Sequence, residues 1–331
     1  MLNLKFFALL AVISVASCEV RIPENFKNAK PISAHPRYQE HELQKKFAKN
    51  LSNNGEISPF IIGGQPAERG QFPHHALIYI VHPGSVVYLC GGSIIDQKWI
   101  LTAAHCAYGA VQSFEIFLGV VDFNGPVSWY GTVYPQDVII HQDYDDSTLI
   151  NDIAMIKLVD APEDLFFDSS VAPISLPFEY YDLVNQTGTV IGFGRESDNS
   201  SAISEVLKFN TLNVITNEEC ASYYVPGVVH ETNLCAETNS EASTCGGDSG
   251  GSYIFNINGF SRLEGVTSFG AANGCQLGYP VGFTRVTSYI NWIYNNINGV
   301  NTTTSAPEVD SWWKELLRRI LEILKKIFGR P

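Results

Sequence analysis

Between Ile61 and Asn298 the chain is written in short apolar runs broken by turn residues, and this pattern restricts the fold more than any other feature. The runs are Ala76–Val81, Trp99–Thr102, Phe114–Leu118, Ile153–Leu158, Thr189–Phe193, Phe255–Ile257 and Leu263–Phe269, with Gly, Pro, Asn and Asp clusters between them. Strands of this length and spacing predict an all-β barrel or sandwich, not alternating strand and helix. One helix closes the region, where Val286 to Ile297 puts Tyr289, Ile290, Ile293 and Ile297 on a single face. The 331 residues leave room for two barrels of similar size, and a 45% hydrophobic content is ample to fill them.

The flanks differ in composition. Residues 1–18 read as a signal peptide: Lys5, the apolar run Phe6 to Val15, then Ala16 and Ser17. Export into an oxidising, extracellular compartment follows, and removal after Cys18 would leave six of the seven cysteines, enough for three disulfides. Removal after Ser17 would leave Cys18 as an odd thiol. Residues 19–60 are polar, with prolines at 23, 31, 36 and 59 and a short helical pattern near Tyr38 to Lys49, and they read as a propeptide with little structure of its own. Residues 300–310 read as a linker. Glycosylation sequons stand at Asn50, Asn185, Asn199 and Asn301. Residues 61–300 hold 7 Lys+Arg against 25 Asp+Glu, a net −18, which disfavours a nucleic-acid partner.

The chemistry-bearing stretch is Cys245-Gly246-Gly247-Asp248-Ser249-Gly250-Gly251. Glycines around a serine let backbone N–H groups approach an attacked carbonyl where larger residues would block it. Upstream, Leu101-Thr102-Ala103-Ala104-His105-Cys106 places a histidine after an apolar strand, and Asn151-Asp152-Ile153-Ala154-Met155-Ile156 places an aspartate at the mouth of another. Each alone has an ordinary structural reading.

Together with Ile61-Ile62-Gly63-Gly64, these stretches resemble the chymotrypsin-like serine peptidases over roughly residues 61–298, and the stretch Gly278-Tyr279-Pro280-Val281-Gly282-Phe283 resembles the invertebrate brachyurin and insect chymotrypsin-like members of that family. The resemblance implies two packed six-stranded antiparallel β-barrels with a C-terminal helix, over a peptidase domain at 61–299. It implies Ser249 as nucleophile, His105 as base, Asp152 as the group orienting the histidine, and the N–H groups of Gly247 and Ser249 as an oxyanion hole. It also implies the disulfides Cys90–Cys106, Cys220–Cys235 and Cys245–Cys275. Substrates would be proteins or peptides, with protein protease inhibitors as further partners and no cofactor or metal.

The same resemblance places Ser243 at the base of the specificity pocket, Ser268 and Gly270 on one wall and Val281 on the other. A neutral Ser243 and an apolar Val281 predict cleavage after Leu, Met, Phe or Tyr, with an elastase-like taste for small apolar residues as the close competitor. Activation would free an α-amino group at Ile61 to pair with Asp248. Phe60 stands where the family usually has Arg or Lys, so a chymotrypsin-like enzyme is expected to make the cut. A silent homologue acting as a binding module is the alternative to an enzyme.

Residues 311–331 carry an amphipathic cationic helix, with Trp312, Trp313, Leu316, Leu317, Ile320, Leu321, Ile323, Leu324, Ile327 and Phe328 on one half and Lys314, Glu315, Arg318, Arg319, Glu322, Lys325 and Lys326 on the other. Docking back on the body, lying at a lipid surface and pairing with another helix are its three open uses.

Overall fold

The computed structural model describes residues 20–36, 61–162, 165, 169–271 and 274–299. The expected tail helix, Phe60, Asn50, Asn301 and the pattern near Tyr38 to Lys49 lie outside these residues. Two sheets account for nearly all the regular structure. In the first, strands β3 (His75–His82), β4 (Val86–Asp96), β5 (Trp99–Thr102), β6 (Ser113–Leu118), β7 (Trp129–Val133), β8 (Val138–Ile140) and β9 (Ala154–Lys157) run in the order β7-β6-β3-β4-β5-β9-β8. All of their pairings are antiparallel.

The second sheet is built from β10 (Thr187–Gly192), β11 (Lys208–Ile215), β12 (Asn233–Ala236), β13 (Ser252–Ile257), β14 (Phe260–Phe269) and β15 (Val281–Arg285). Its order β10-β13-β14-β15-β12-β11 closes on itself because β11 also pairs β10. The short β2 (Gln65–Pro66) adds to β11. The second barrel is therefore six-stranded and closed. The first is a rolled half-barrel, in which β7 and β8 are not paired and the chain between them turns through Pro135–Asp137.

Of the seven apolar runs, Ala76–Val81 and its fellows fall on β3, β5, β6, β9, β10, β13 and β14. The closing helix is α3 (Ile290–Ile297), preceded by a 3-10 turn at Val286–Tyr289; it anchors through Ile293, which is fully buried. Among the described residues no helix is long and apolar enough to cross a membrane.

One segment is more ordered than its composition suggests. Residues 20–36 form α1 (Glu24–Lys27), a strand β1 (Lys30–Pro31) and a turn Ile32–Ala34, and β1 pairs parallel to β4. This explains why β3 is buried on both faces: Leu77 and Tyr79 point away from the barrel interior, and Phe26 stacks on Tyr79 at 5.0 Å.

Candidate active site

The glycine-rich loop is held from both sides. The Cys245–Cys275 disulfide fixes its start, Gly91 of β4 donates its N–H to the Ser249 carbonyl at 2.8 Å, and Gly250 donates to Thr267 of β14 at 2.8 Å. Two of its glycines need the left-handed region, Gly247 at φ +105° and Gly250 at φ +76°. A side chain on Gly247 would also press on the Gly194 backbone, 2.9 Å away. Ser249 is left half-buried at the cleft floor.

His105 sits on the single turn α2 (Ala104–Ala107) directly after β5, and a second disulfide, Cys90–Cys106, ties that turn to β4. Both His105 and Asp152 are buried, at 5% and 1% exposure, and they meet in two places. The His105 backbone N–H donates to Asp152 Oδ1 at 2.8 Å, and His105 Nδ1 lies 2.7 Å from Oδ2. An ionised carboxylate accepts only, so Nδ1 donates to Asp152 and Nε2 is the ring nitrogen that can act as a base. Ser268 completes the arrangement by donating its hydroxyl to the same Oδ2 at 2.6 Å. Thr284 of β15 donates to the Asp152 carbonyl at 2.7 Å, fixing the loop beneath.

His105 and Ser249 line one cleft of about 920 Å³, together with Ser243, Ser268, Gly270 and Val281. Ser243 and Val281 are buried at 1% and 3% exposure, while Gly270 is exposed at the mouth. Ser243, a neutral residue, donates its hydroxyl to the Thr244 carbonyl at 2.9 Å. The structure thus joins His105 directly to Asp152 and places Ser249 and these four residues in the cleft that His105 lines.

Asp248 lies under the loop at 1% exposure. Its two oxygens accept the N–H groups of Gly194 and Cys245, each at 2.8 Å, and no salt bridge among the described residues reaches it. Burial consequently pushes its pKa from 3.8 up to about 6. Ile62 beside the expected cut is fully buried, and its carbonyl accepts from Asn210 at 2.9 Å.

The three disulfides of the structure are Cys90–Cys106, Cys220–Cys235 and Cys245–Cys275. Cys90 and Cys106 lie near His105, but sulfurs shared in a disulfide have no thiolate to offer a metal. Asn185 and Asn199 are exposed, as a sequon requires.

Some contacts and lining residues of the cleft escape a reading of the sequence. Ser268 is a partner of Asp152 as well as a wall of the pocket. Arg195 and Ile203 line the cleft without belonging to any motif. Residues 27–34 line it too, from the segment ahead of the domain.

A sequence profile of the family described as Trypsin matches residues 61–293. Brachyurin of Leptuca pugilator is 37% identical over 236 residues, covering 70% of this chain and 96% of that protein. Collagenase of Hypoderma lineatum is 37% identical over 245 residues, covering 71% of this chain and 86% of that protein. The solved structure of HL collagenase superposes with a TM-score of 0.63 at 36% identity, covering 72% of this chain and 98% of its own.

Proposed function

Because the chain belongs to the trypsin family of chymotrypsin-like serine proteases, we propose that it is a secreted endopeptidase that cuts after apolar or aromatic residues and is switched on by a cut at Phe60–Ile61. The observation that carries this is the buried His105–Asp152 pair beside the cleft that holds Ser249 together with the uncharged Ser243 and Val281.

A serine hydroxyl attacks an amide only when its proton has somewhere to go. Nε2 of His105 takes that proton as Ser249 Oγ bonds to the carbonyl carbon, and the imidazolium so formed faces the Asp152 carboxylate. The carbonyl oxygen becomes an oxyanion, which the N–H groups of Gly247 and Ser249 receive; donors of this kind contribute about 3–4 kcal/mol each. His105 then gives the proton to the departing amine, and an acyl-Ser249 remains. Water, deprotonated by the same histidine, attacks the acyl carbon and expels Ser249.

Specificity follows from desolvation. A Lys or Arg side chain entering the pocket would leave its charge buried against Ser243 and Val281 without a partner, whereas an apolar side chain gains from leaving water. Steady-state kcat/KM across peptides varied only at the residue before the cut is the test. Leu, Met, Phe and Tyr should lead; a preference for Arg or Lys overturns the assignment, and one for Ala or Val makes the pocket elastase-like. Collagen belongs in the same assay, since the Hypoderma lineatum relative carries the name collagenase. Stoichiometric labelling of Ser249 by a phosphonate would dispose of the silent-homologue alternative.

Activation follows from Asp248. A carboxylate held under the loop with no counter-charge favours a loop that is easily disturbed. An α-ammonium freed at Ile61 would supply that charge and steady the N–H groups of Gly247 and Ser249.

A further inference from the structure

We propose that residues 20–36 are a built-in peptide ligand of the first sheet, which stays bound after the Phe60–Ile61 cut and closes the leaving-group side of the cleft to polypeptide substrates; this rests on the peptidase reading above.

The segment is seated like a ligand. Ile22, Phe26, Ala29 and Ile32 are buried, at 3%, 9%, 6% and 1% exposure, within the same core cluster as β3 and β4. Lys30 and Pro31 add a strand to β4 opposite Tyr88 and Leu89, and Lys27 donates to Asn124 at 2.8 Å. Charge favours the seating as well. Residues 20–36 hold three Lys+Arg against one Asp+Glu, while residues 61–300 carry 7 against 25.

Its position decides what it obstructs. The pocket walls Ser268, Gly270 and Val281 come from the second sheet, so a substrate side chain held there directs the chain beyond the scissile bond toward the first sheet. That ground is occupied. Gly246, next to the oxyanion residue Gly247, is so close to the segment that a Cβ on it would lie 2.7 Å from Ser33 Oγ and 3.1 Å from Pro31 Cβ. Residues 19–60 contain no cysteine and the three disulfides lie within residues 90–275, so after the cut only non-covalent contacts hold the segment.

The test uses the full chain with residues 56–60 replaced by an enteropeptidase site. In the Ser249→Ala form, which needs no catalysis, the cut N-terminal fragment should co-elute with the body at micromolar concentration; elution of the fragment alone overturns the proposal. In the active form, two substrates separate the effects: a small chromogenic anilide that ends at the scissile bond, and a quenched decapeptide that extends past it. Dilution to nanomolar concentration should raise specific activity on the decapeptide at least tenfold and leave the anilide unchanged. Phe26→Ala should weaken retention by roughly 100-fold and do the same without dilution. Equal response of both substrates, or none, overturns it. Failure of every form to cut either substrate counts against the peptidase reading, and co-elution still decides the docking.

Discussion

Cutting the Phe60–Ile61 bond should change how the stability of this protein depends on pH, and Asp248 sets the size of the change. In the uncut chain this carboxyl is buried, accepts two backbone N–H groups and has a pKa held at about 6 instead of 3.8. The folded chain binds that proton more tightly than the unfolded chain does. Its cost is absent below pH 3.8, grows as pH rises through about 6, and levels off at about 3 kcal/mol. A free ammonium at Ile61 removes the cost by giving the carboxylate a counter-charge. The benefit lasts until pH passes the amino group's own pKa, ordinarily about 8 and raised by the pairing.

Neither form alone isolates this effect. His74 and His75 are buried neutral, their pKa values lowered by burial from 6.5 to about 4 and about 3. Unfolded chains take up protons that these two refuse, so both forms lose stability as pH falls below 6.5. The difference between cut and uncut protein cancels that loss. The assay is guanidinium unfolding of Ser249→Ala protein, before and after cutting by an added chymotrypsin-like enzyme, at pH 4.5 and pH 7. Integrating the Asp248 shift between those two values, the cut form should gain about 2 kcal/mol on the uncut form. Carbamylating the new amino group should erase the gain. A cut-minus-uncut difference that is the same at both pH values refutes the reasoning.

Three substitutions probe the site itself. Ser268→Ala removes a 2.6 Å hydrogen bond to Asp152 and should lower kcat/KM about tenfold, mostly through kcat, with the acid limb of the pH profile displaced. Gly247→Ala forces a side chain into φ +105° against Gly194; kcat should fall by about 10² or more while circular dichroism stays native. Ser243→Asp puts a carboxylate at the pocket base, and the Lys-to-Phe ratio of kcat/KM at the cut position should rise at least tenfold.

What the sequence disclosed and what it hid have a common physical origin. His105, Asp152 and Ser249 are legible because attack on an amide admits few residue types and the glycines around the serine must stay small. β4 is not legible, because its centre is Cys90-Gly91-Gly92: Gly91 lies where a Cβ would be 3.1 Å from Gly251, and Gly92 where one would be 2.6 Å from Ile100. The strand gives up apolar side chains so that the nucleophile loop can rest on it, and apolar alternation is what marks a strand. The bond from Ser268 to Asp152 escapes notice for another reason, since the two are 116 residues apart in sequence and no local pattern encodes the meeting. The docked segment did leave a trace. Ala76 to Val81 has no polar alternation, which a strand facing water on one side would need. Something had to cover the second face, and the aromatic contact of Phe26 with Tyr79 identifies residues 20–36 as part of that cover. A segment read from its composition as having little structure of its own is therefore held by the apolar surface of the first sheet, which composition alone does not disclose.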